Sequence, residues 1–312
     1  MTSATQTQTL QTAIGTYGHT KALKDGSISP RGAKLEPVEV TPIIGAFRRM
    51  CRNLEFDVCE MAITTYLCAK ANNLPFTALP VFLVRAFHNG AVQINTAAGV
   101  STPKDLEGKK VGVRAWTVTT GVWAKDILRT ENGVDLEKVN WVVVDEEHVL
   151  QYQTPSNVTM QAGANLGEML ASGELAAAIG IPKVDSPNVK PLVENANAAA
   201  SEWYAKTGVF PINHTLVVKD ELLAANPSLG KDIYDAFKAA RDAYVAGLAS
   251  STDEADAGMK RTAAMVGGDP LPYGIEANRK AMEAIIAAAT TQHILTRPTK
   301  VEDVFVAGAA SW

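Results

Sequence analysis

The chain has only three cysteines among its 312 residues, and no two of them are spaced as CxxC. Cys51, Cys59 and Cys68 are odd in number, and each lies within or beside an apolar run. This pattern argues against a disulfide framework and against a zinc site. We therefore predict reduced thiols in a cytoplasmic protein.

Long apolar runs and an excess of positive charge are also missing. No segment approaches the roughly 18 apolar residues of a membrane-spanning helix, and residues 1–10 lack the basic and apolar regions of a secretory signal. The net charge of -4 offers no basic field for nucleic acid or for an anionic membrane. We expect a small-molecule partner, no nucleic acid and no membrane, and the sequence leaves open whether the chain forms a homo-oligomer.

The length and the order of the predicted elements indicate two α/β lobes. A chain of 312 residues is too long for one ordinary core and suits two domains. Strands and helices alternate in the first two thirds, and helices end the chain. This order predicts an α/β fold in which the chain crosses between the two lobes more than once.

One acidic residue stands inside an apolar run and is followed by clustered polar residues. Glu60 lies in the run 56–61, where a carboxylate is costly unless other groups hold it. Arg85 and His88 come at the end of a second apolar run, 78–84. If the two runs form neighbouring strands, the three side chains converge at one end of a sheet, where α/β proteins bind small ligands.

The local pattern places Glu60 in a loop rather than in a strand. We predict a strand over 56–58 and a helix over 62–71, so that the free N–H groups at the helix start face the same loop as Glu60. In the alternative interpretation, Glu60 has no role in ligand binding and only caps this helix.

A second polar segment follows the predicted strand 109–113. It contains hydroxyl groups ahead of a predicted helix, and such groups, with the free N–H groups of a helix start, can bind an anion without a glycine-rich loop. Trp116 in this segment either packs in the core or stacks on an aromatic ligand. The candidate anion-binding residues are Thr117, Thr119 and Thr120.

Five segments together resemble the 4,5-dihydroxyphthalate decarboxylase family, from about Leu10 to Phe305. They read EFDVCEMAITTYL, PVFLVRAFHNGAVQINTAAGVSTPKDLEGKKVGV, LGEMLASGELAAAIG, WYAKTGVFPINHTLVVKDELLAANP and DPLPYGIEANR. The resemblance implies a two-lobe, type II periplasmic-binding-protein-like fold with a ligand cleft between the lobes. Lobe one would comprise residues 10–97 and 217–312, and lobe two residues 98–216 with the crossover segments.

The resemblance also implies a cofactor-independent decarboxylase of a hydroxylated aromatic acid. That reaction needs cations for the carboxylates, a hydroxyl group that feeds electrons into the ring, and an acid that protonates the carbon losing carbon dioxide. Proton transfer is assigned to the catalytic group Glu60, His88 and His214. The expected substrate-binding residues are Arg85, His19, Lys21, Trp116, Thr117, Thr119, Thr120 and Asn213, with Arg85, His19 and Lys21 holding carboxylates.

Several alternatives stay open at this stage. His88 and His214 could be ordinary structural histidines, and together with Glu60 they could also ligate a metal, although no metal-ligand spacing exists and we predict none. The chain could instead be a solute-binding protein for an aromatic carboxylate, or another small-acid lyase on the same scaffold. The family usually carries a basic pair where this chain has Gly18-His19-Thr20-Lys21 and another basic residue where it has His88-Asn89, which leaves room for a different substrate.

Overall fold

The computed structural model describes residues 7–312, and the chain is an α/β protein. The strands are β1 (Gln8–Ala13), β2 (Ala33–Pro37), β3 (Val58–Ala62), β4 (Phe76–Arg85), β5 (Val92–Asn95), β6 (Lys110–Val113), β7 (Asn140–Val143), β8 (Val158–Met160), β9 (Ala177–Ile179), β10 (Val189–Pro191) and β11 (Ile212–Lys219). The α-helices are α1 (Lys21–Lys24), α2 (Ile44–Asn53), α3 (Ile63–Ala71), α4 (Thr119–Asn132), α5 (Leu166–Ser172), α6 (Ala196–Thr207), α7 (Asp220–Ala225), α8 (Leu229–Leu248), α9 (Ala257–Val266), α10 (Arg279–Thr291) and α11 (Val301–Val304).

Local sequence accounts for several helix ends. The Asn165 side chain accepts hydrogen bonds from the first free N–H groups of α5, and Asn195 does the same for α6. Helix α4 ends at Gly133, whose φ of 64° is a left-handed conformation that glycine adopts without strain. Each of these caps marks the residue at which its helix begins or ends.

The first sheet has the strand order β2-β1-β3-β11-β4. Strand β1 pairs in parallel with β2 and β3, whereas β11 runs antiparallel to both β3 and β4. On the basis of the sequence, the strands that carry Glu60 and Arg85 were considered as neighbours. In the structure they are not neighbours. Strand β11 lies between them and brings His214 next to both, opposite Ala62 on one side and Val84 on the other.

The predicted loop position of Glu60 is wrong. Strand β3 extends from Val58 to Ala62, and α3 begins only at Ile63, so Glu60 is the central residue of a strand whose five residues are all buried. The sequence of an interior strand is usually a continuous run of apolar residues. The acid interrupted that run and made the strand look shorter than it is.

The second sheet has the order β10-β5-β9-β6-β7-β8. Residues 141–144 are all apolar, which predicts an interior parallel strand. Strand β7 pairs in parallel with β6 and β8, so this prediction is confirmed. Strand β8 comes from the segment 145–165, which the sequence pattern could not assign. One face of the sheet packs on α5 in a cluster of Val142, Leu166, Met169, Leu170, Leu175 and Ala178.

The described chain separates into two compact units. The first runs up to Arg85 and adds Ile212–Glu283 and Thr299–Trp312, and the second consists of Ala86–Pro211 and Ala284–Pro298. Strand β5 had been assigned to the first lobe, but it belongs to the second sheet because it pairs with β9 and β10. Strand β11 lies wholly in the first unit, since it completes that unit's sheet.

None of the three cysteines is in a disulfide bond, and their reduced state stays a prediction. Among residues 7–312, no helix combines the length and the apolar character needed to cross a bilayer. The cytoplasmic location stays a prediction.

Candidate functional site

The first unit holds a buried carboxylate with three hydrogen-bond donors. Glu60 is fully buried. Its Oε2 accepts from the Gly15 backbone N–H at 2.8 Å, and its Oε1 accepts from the Tyr17 hydroxyl at 2.8 Å and lies 2.6 Å from His214 Nδ1. A buried carboxylate requires such partners, because they replace the hydration lost on folding.

These partners decide the charge state of Glu60. Burial alone would raise the pKa of its carboxyl group. The hydrogen bond and the charge of His214 oppose burial, as do the donors Gly15 and Tyr17, and the net effect is a pKa below the usual value. Glu60 is thus a carboxylate at neutral pH and accepts a hydrogen bond from His214, and its part in catalysis stays a prediction.

His214 has the geometry of a proton-transfer residue. Its Nδ1 is directed at Glu60, so Nε2 is the ring nitrogen left for exchange with a ligand, and the side chain is 20% exposed. Phe47 packs edge-on against the imidazole with ring centroids 5.0 Å apart. A carboxylate that fixes one imidazole nitrogen and stabilises the protonated ring is the arrangement found in catalytic histidine dyads.

His19 lies in the same unit, but its environment does not suit a cation. The residue is 3% exposed and stacks on Tyr17, with ring centroids 5.3 Å apart. Burial lowers the pKa of its imidazole to about 4, and Arg241 lowers it further, against the opposing effects of Glu60 and a backbone hydrogen bond to Leu83. His19 is therefore neutral at neutral pH, which corrects the expectation that it holds a carboxylate by charge. Lys21, its expected partner, is the exposed first residue of α1.

Arg85 ends strand β4 and is held by a motif far along the chain. Its guanidinium donates to the Pro272 carbonyl at 3.3 Å and to Asn278 Oδ1. Asn278 is buried, and its amide group donates to the carbonyls of Pro272 at 2.9 Å and Gly274 at 2.7 Å. The segment DPLPYGIEANR, quoted above only for its resemblance, thus contains the residue that orients Arg85.

In the second unit, the expected anion-binding segment contacts a carboxylate of the chain itself. The backbone N–H groups of Trp116 and Thr117 donate to Glu147 at 2.5 Å and 3.2 Å, and the Thr117 hydroxyl donates to it at 2.5 Å. Thr119 and Thr120 are the first two residues of α4. Sequence reasoning missed Glu147, because it lies in the segment 145–165 that showed no regular pattern.

Trp116 packs in the core of the second unit. The residue is 2% exposed, Lys125 Nζ lies 3.0 Å from the centre of its ring, and the ring of Trp141 is 5.5 Å away. Its Nε1 donates to the Gln292 carbonyl at 2.9 Å. These contacts cover the indole, so the core alternative holds for Trp116 and the ligand-stacking alternative does not.

The remaining expected site residues are distributed over both units. His88 is buried in the second unit, whereas Asn213 is buried beside His214 on β11 in the first. Their roles stay predictions. Among residues 7–312, no group of three or more His, Cys, Asp or Glu side chains is arranged to hold a metal ion.

Two curated proteins are similar in sequence to most of this chain, although no family model matches it. The "4,5-dihydroxyphthalate decarboxylase" of Comamonas testosteroni is 27% identical over 322 residues, covering 95% of this chain and 96% of that protein. The protein of the same name from Pseudomonas putida is 31% identical over 215 residues, covering 62% of this chain and 81% of that protein.

Solved structures share the fold at low sequence identity. The alkanesulfonate-binding protein SsuA from Xanthomonas axonopodis pv. citri aligns with a TM-score of 0.56 at 12% identity, over 96% of this chain and 98% of its own. The desulfurization enzyme DSZB aligns with a TM-score of 0.52 at 12% identity, over 97% and 98%. These likenesses confirm the periplasmic-binding-protein-like fold, and because a binding protein and an enzyme share it, the fold does not decide between the two functions.

Proposed function

The chain belongs to the 4,5-dihydroxyphthalate decarboxylase family, a family of carboxy-lyases, and from this premise we propose that it decarboxylates a hydroxylated aromatic dicarboxylic acid without a cofactor. The proposed substrate is of the 4,5-dihydroxyphthalate type. The observation that carries the proposal is the contact of 2.6 Å between the buried Glu60 carboxylate and His214 Nδ1. This contact prepares an imidazole to deliver a proton.

The proposed reaction begins at the ring carbon that bears the carboxylate. In 4,5-dihydroxyphthalate, each hydroxyl group stands para to one carboxylate and can push electrons toward that carbon. The protonated His214 transfers its Nε2 proton to the carbon, and Glu60 keeps the imidazolium stable until then. The carbon–carbon bond then breaks, its electron pair returns to the ring, and carbon dioxide leaves. His214 regains a proton from solvent.

Arg85 is the proposed carboxylate-binding residue. A guanidinium matches a carboxylate with two parallel hydrogen bonds, and the contacts to Asn278 and Pro272 hold the Arg85 side chain in one orientation. His88 stays a second candidate for proton transfer. Thr117, Thr119, Thr120, Lys21 and Asn213 stay candidates for substrate contact.

The test is incubation of the purified protein with 4,5-dihydroxyphthalate in deuterated water. We expect carbon dioxide and a monocarboxylate with one deuteron at the vacated ring carbon. His214→Asn should lower kcat by about 100-fold or more, the usual contribution of a general acid. The matched control is His293→Asn, because His293 has a 58% exposed side chain on the second unit and should leave kcat unchanged.

A binding assay run beside the turnover assay separates the rival functions. Tight binding without carbon dioxide release, across a panel of hydroxylated and plain aromatic acids, would refute the decarboxylase and make the chain a solute-binding protein. Release of a product other than carbon dioxide would point to another small-acid lyase. An unchanged kcat in His214→Asn would remove His214 from proton transfer and leave His88 as the candidate.

A further inference from the structure

His19 has a buried ring nitrogen whose hydrogen-bonding capacity no protein group uses. The residue is 3% exposed, and within residues 7–312 no group forms a hydrogen bond with its Nε2. Leaving a buried polar atom without a partner destabilises the folded protein. Such a group calls for an explanation, and a ligand that supplies the missing partner is one.

The neighbours of His19 are committed elsewhere. Tyr17 stacks on its ring, but the Tyr17 hydroxyl donates to Glu60 at 2.8 Å. Tyr244 lies on another side, with ring centroids 5.9 Å apart, and its hydroxyl donates to Asp256 at 2.6 Å. Both hydroxyl groups are therefore held away from Nε2, while the two rings fix the plane of the imidazole.

The electrostatic surroundings make Nε2 an acceptor. Burial and the nearby Arg241 lower the pKa of His19 to about 4, and the opposing influence of Glu60 does not restore it. At neutral pH the ring thus carries a single proton. We assign that proton to the nitrogen that hydrogen-bonds to the backbone of Leu83, which leaves the lone pair on Nε2.

Building on the proposed function, we propose that His19 Nε2 accepts the hydrogen of a ring hydroxyl group of the substrate and so selects hydroxylated aromatic acids. His19 is linked to the proton-transfer pair through Tyr17, which stacks on His19 and donates to Glu60, the partner of His214. The hydroxyl-binding residue and the carbon-protonating residue therefore belong to one connected group of side chains in the first unit.

This assignment gives His19 a balanced part in the reaction. When His214 protonates the ring carbon, the para hydroxyl becomes more acidic and passes its proton to His19 Nε2, which leaves a neutral dienone. Loss of carbon dioxide returns the electron pair of the broken bond to the ring, and the resulting phenolate takes the proton back from His19. His19 is thus unchanged after one turnover, and the net reaction consumes one proton, delivered by His214.

The test compares the affinities for 4,5-dihydroxyphthalate and phthalate, which differ only in the two hydroxyl groups. Because a site built to hydrogen-bond a hydroxyl group discriminates against the analogue lacking it, we expect the protein to prefer the hydroxylated acid by about tenfold or more. His19→Phe keeps an aromatic ring but has no acceptor, so the preference should fall to about twofold or less while phthalate affinity stays the same. Tyr244→Phe is the control, since it keeps the ring beside His19 and should keep the preference.

A second measurement uses the unmodified protein. It tests the proposal even if the His19→Phe variant fails to fold. In the protein labelled with ¹⁵N at its five histidines, the Nε2 resonance of His19 should shift on adding 4,5-dihydroxyphthalate and not on adding phthalate. An equal shift with both ligands, or a preference that persists in His19→Phe, would overturn the proposal. Both readouts use binding alone, so a protein that binds selectively but releases no carbon dioxide would refute the proposed function and leave the role of His19 intact.

Discussion

Burial acts on Glu60 and His19 in the same sense, because it disfavours the charged form of each side chain. The two nevertheless differ in charge at neutral pH. Glu60 receives donors from Gly15, Tyr17 and His214, which together outweigh burial and keep it ionised. For His19, the charge of Glu60 and one backbone hydrogen bond do not outweigh burial, and the imidazole stays neutral. The charged Glu60 and the neutral His19 therefore both contact Tyr17. Glu60 suits the proton on His214, whereas His19 suits the proton of a ligand hydroxyl group.

Glu60→Gln tests the value of that fixed charge. The amide cannot stabilise a protonated His214 by charge. Its NH₂ group would face donors in either orientation, the Gly15 N–H in one and Tyr17 with His214 in the other. We expect kcat to fall by about 100- to 10,000-fold, with a smaller effect on KM, because the lost interaction matters most when His214 carries its proton.

Steady-state kinetics on the purified variant measures this change. Glu283→Gln, at a side chain that is 59% exposed, removes an equal charge from the same unit and should leave kcat unaltered. A Glu60→Gln protein with the wild-type kcat and a normal fold would show that Glu60 serves only to stabilise the structure.

The elements that were predicted best from the sequence are those that are buried uniformly along their length. Strand β7, with its unbroken apolar residues, was predicted as an interior parallel strand, and the structure confirms it. Strand β3 was misjudged, because the groups that compensate Glu60 lie at Gly15 and Tyr17, some forty-five positions earlier in the chain. Periodicity reports burial but does not reveal a distant partner.

Helix α4 carries a feature that its sequence did not reveal, a fully buried lysine. Lys125 Nζ lies 3.0 Å from the centre of the Trp116 ring and donates to the Trp116 carbonyl at 3.1 Å. Burial holds the pKa of Lys125 well below its usual value, although Glu147 acts in the opposite direction. Helix α4 thus holds the Trp116 loop through the ring contact and the hydrogen bond of Lys125.

Lys125→Met should change how stability depends on pH. In the unfolded chain Lys125 binds a proton below its ordinary pKa of 10.5, whereas in the folded protein it does not until a much lower pH. The unfolded state therefore binds more protons in this range, and the stability of the native protein rises with pH. Between the lowered pKa of the folded state and the ordinary pKa of the unfolded state, the contribution of Lys125 to this slope is at most about 1.4 kcal/mol per pH unit, and it should be absent in Lys125→Met.

Urea unfolding at several pH values measures the difference. Lys138→Met, which removes a lysine with a 64% exposed side chain from the same unit, should retain the slope of the native protein. Parallel pH profiles for the native protein and Lys125→Met would mean that Lys125 is charged in the folded state.

At the scale of the whole molecule, strand order was the quantity that local sequence could least determine. Strand β11 is separated from β3 and β4 by all the strands of the second sheet, yet it lies between them. An apolar strand pattern shows that a strand is interior but does not identify its neighbours. The family resemblance supplied the two-lobe architecture, and pairing in the structure moved β5 into the second unit. The ligand cleft that the resemblance implies stays a prediction.

The C-terminal segment 299–312 covers part of one edge of the first sheet. Strand β4 is the last strand of that sheet, and the Val306 N–H donates to the Ala78 carbonyl on it at 3.0 Å. Phe305, which is 5% exposed, packs edge-on against Phe82 with centroids 5.9 Å apart, and Tyr66 donates to the Val304 carbonyl. Covering an edge strand in this way removes a template for pairing with other chains.

A chain that ends at residue 298 should therefore lose stability and also associate. Phe305→Ala alone should cost about 3–5 kcal/mol of unfolding free energy, the usual range for a buried phenylalanine. Phe305→Leu keeps most of the apolar contact and should cost less.

The truncated chain should additionally form higher-order species, detected by light scattering, because the backbone groups of β4 near Ala78 become accessible. Phe305→Ala leaves the Val306 hydrogen bond in place and should not form such species. If the truncated chain and Phe305→Ala associate equally, the association results from lost packing and not from an uncovered strand edge.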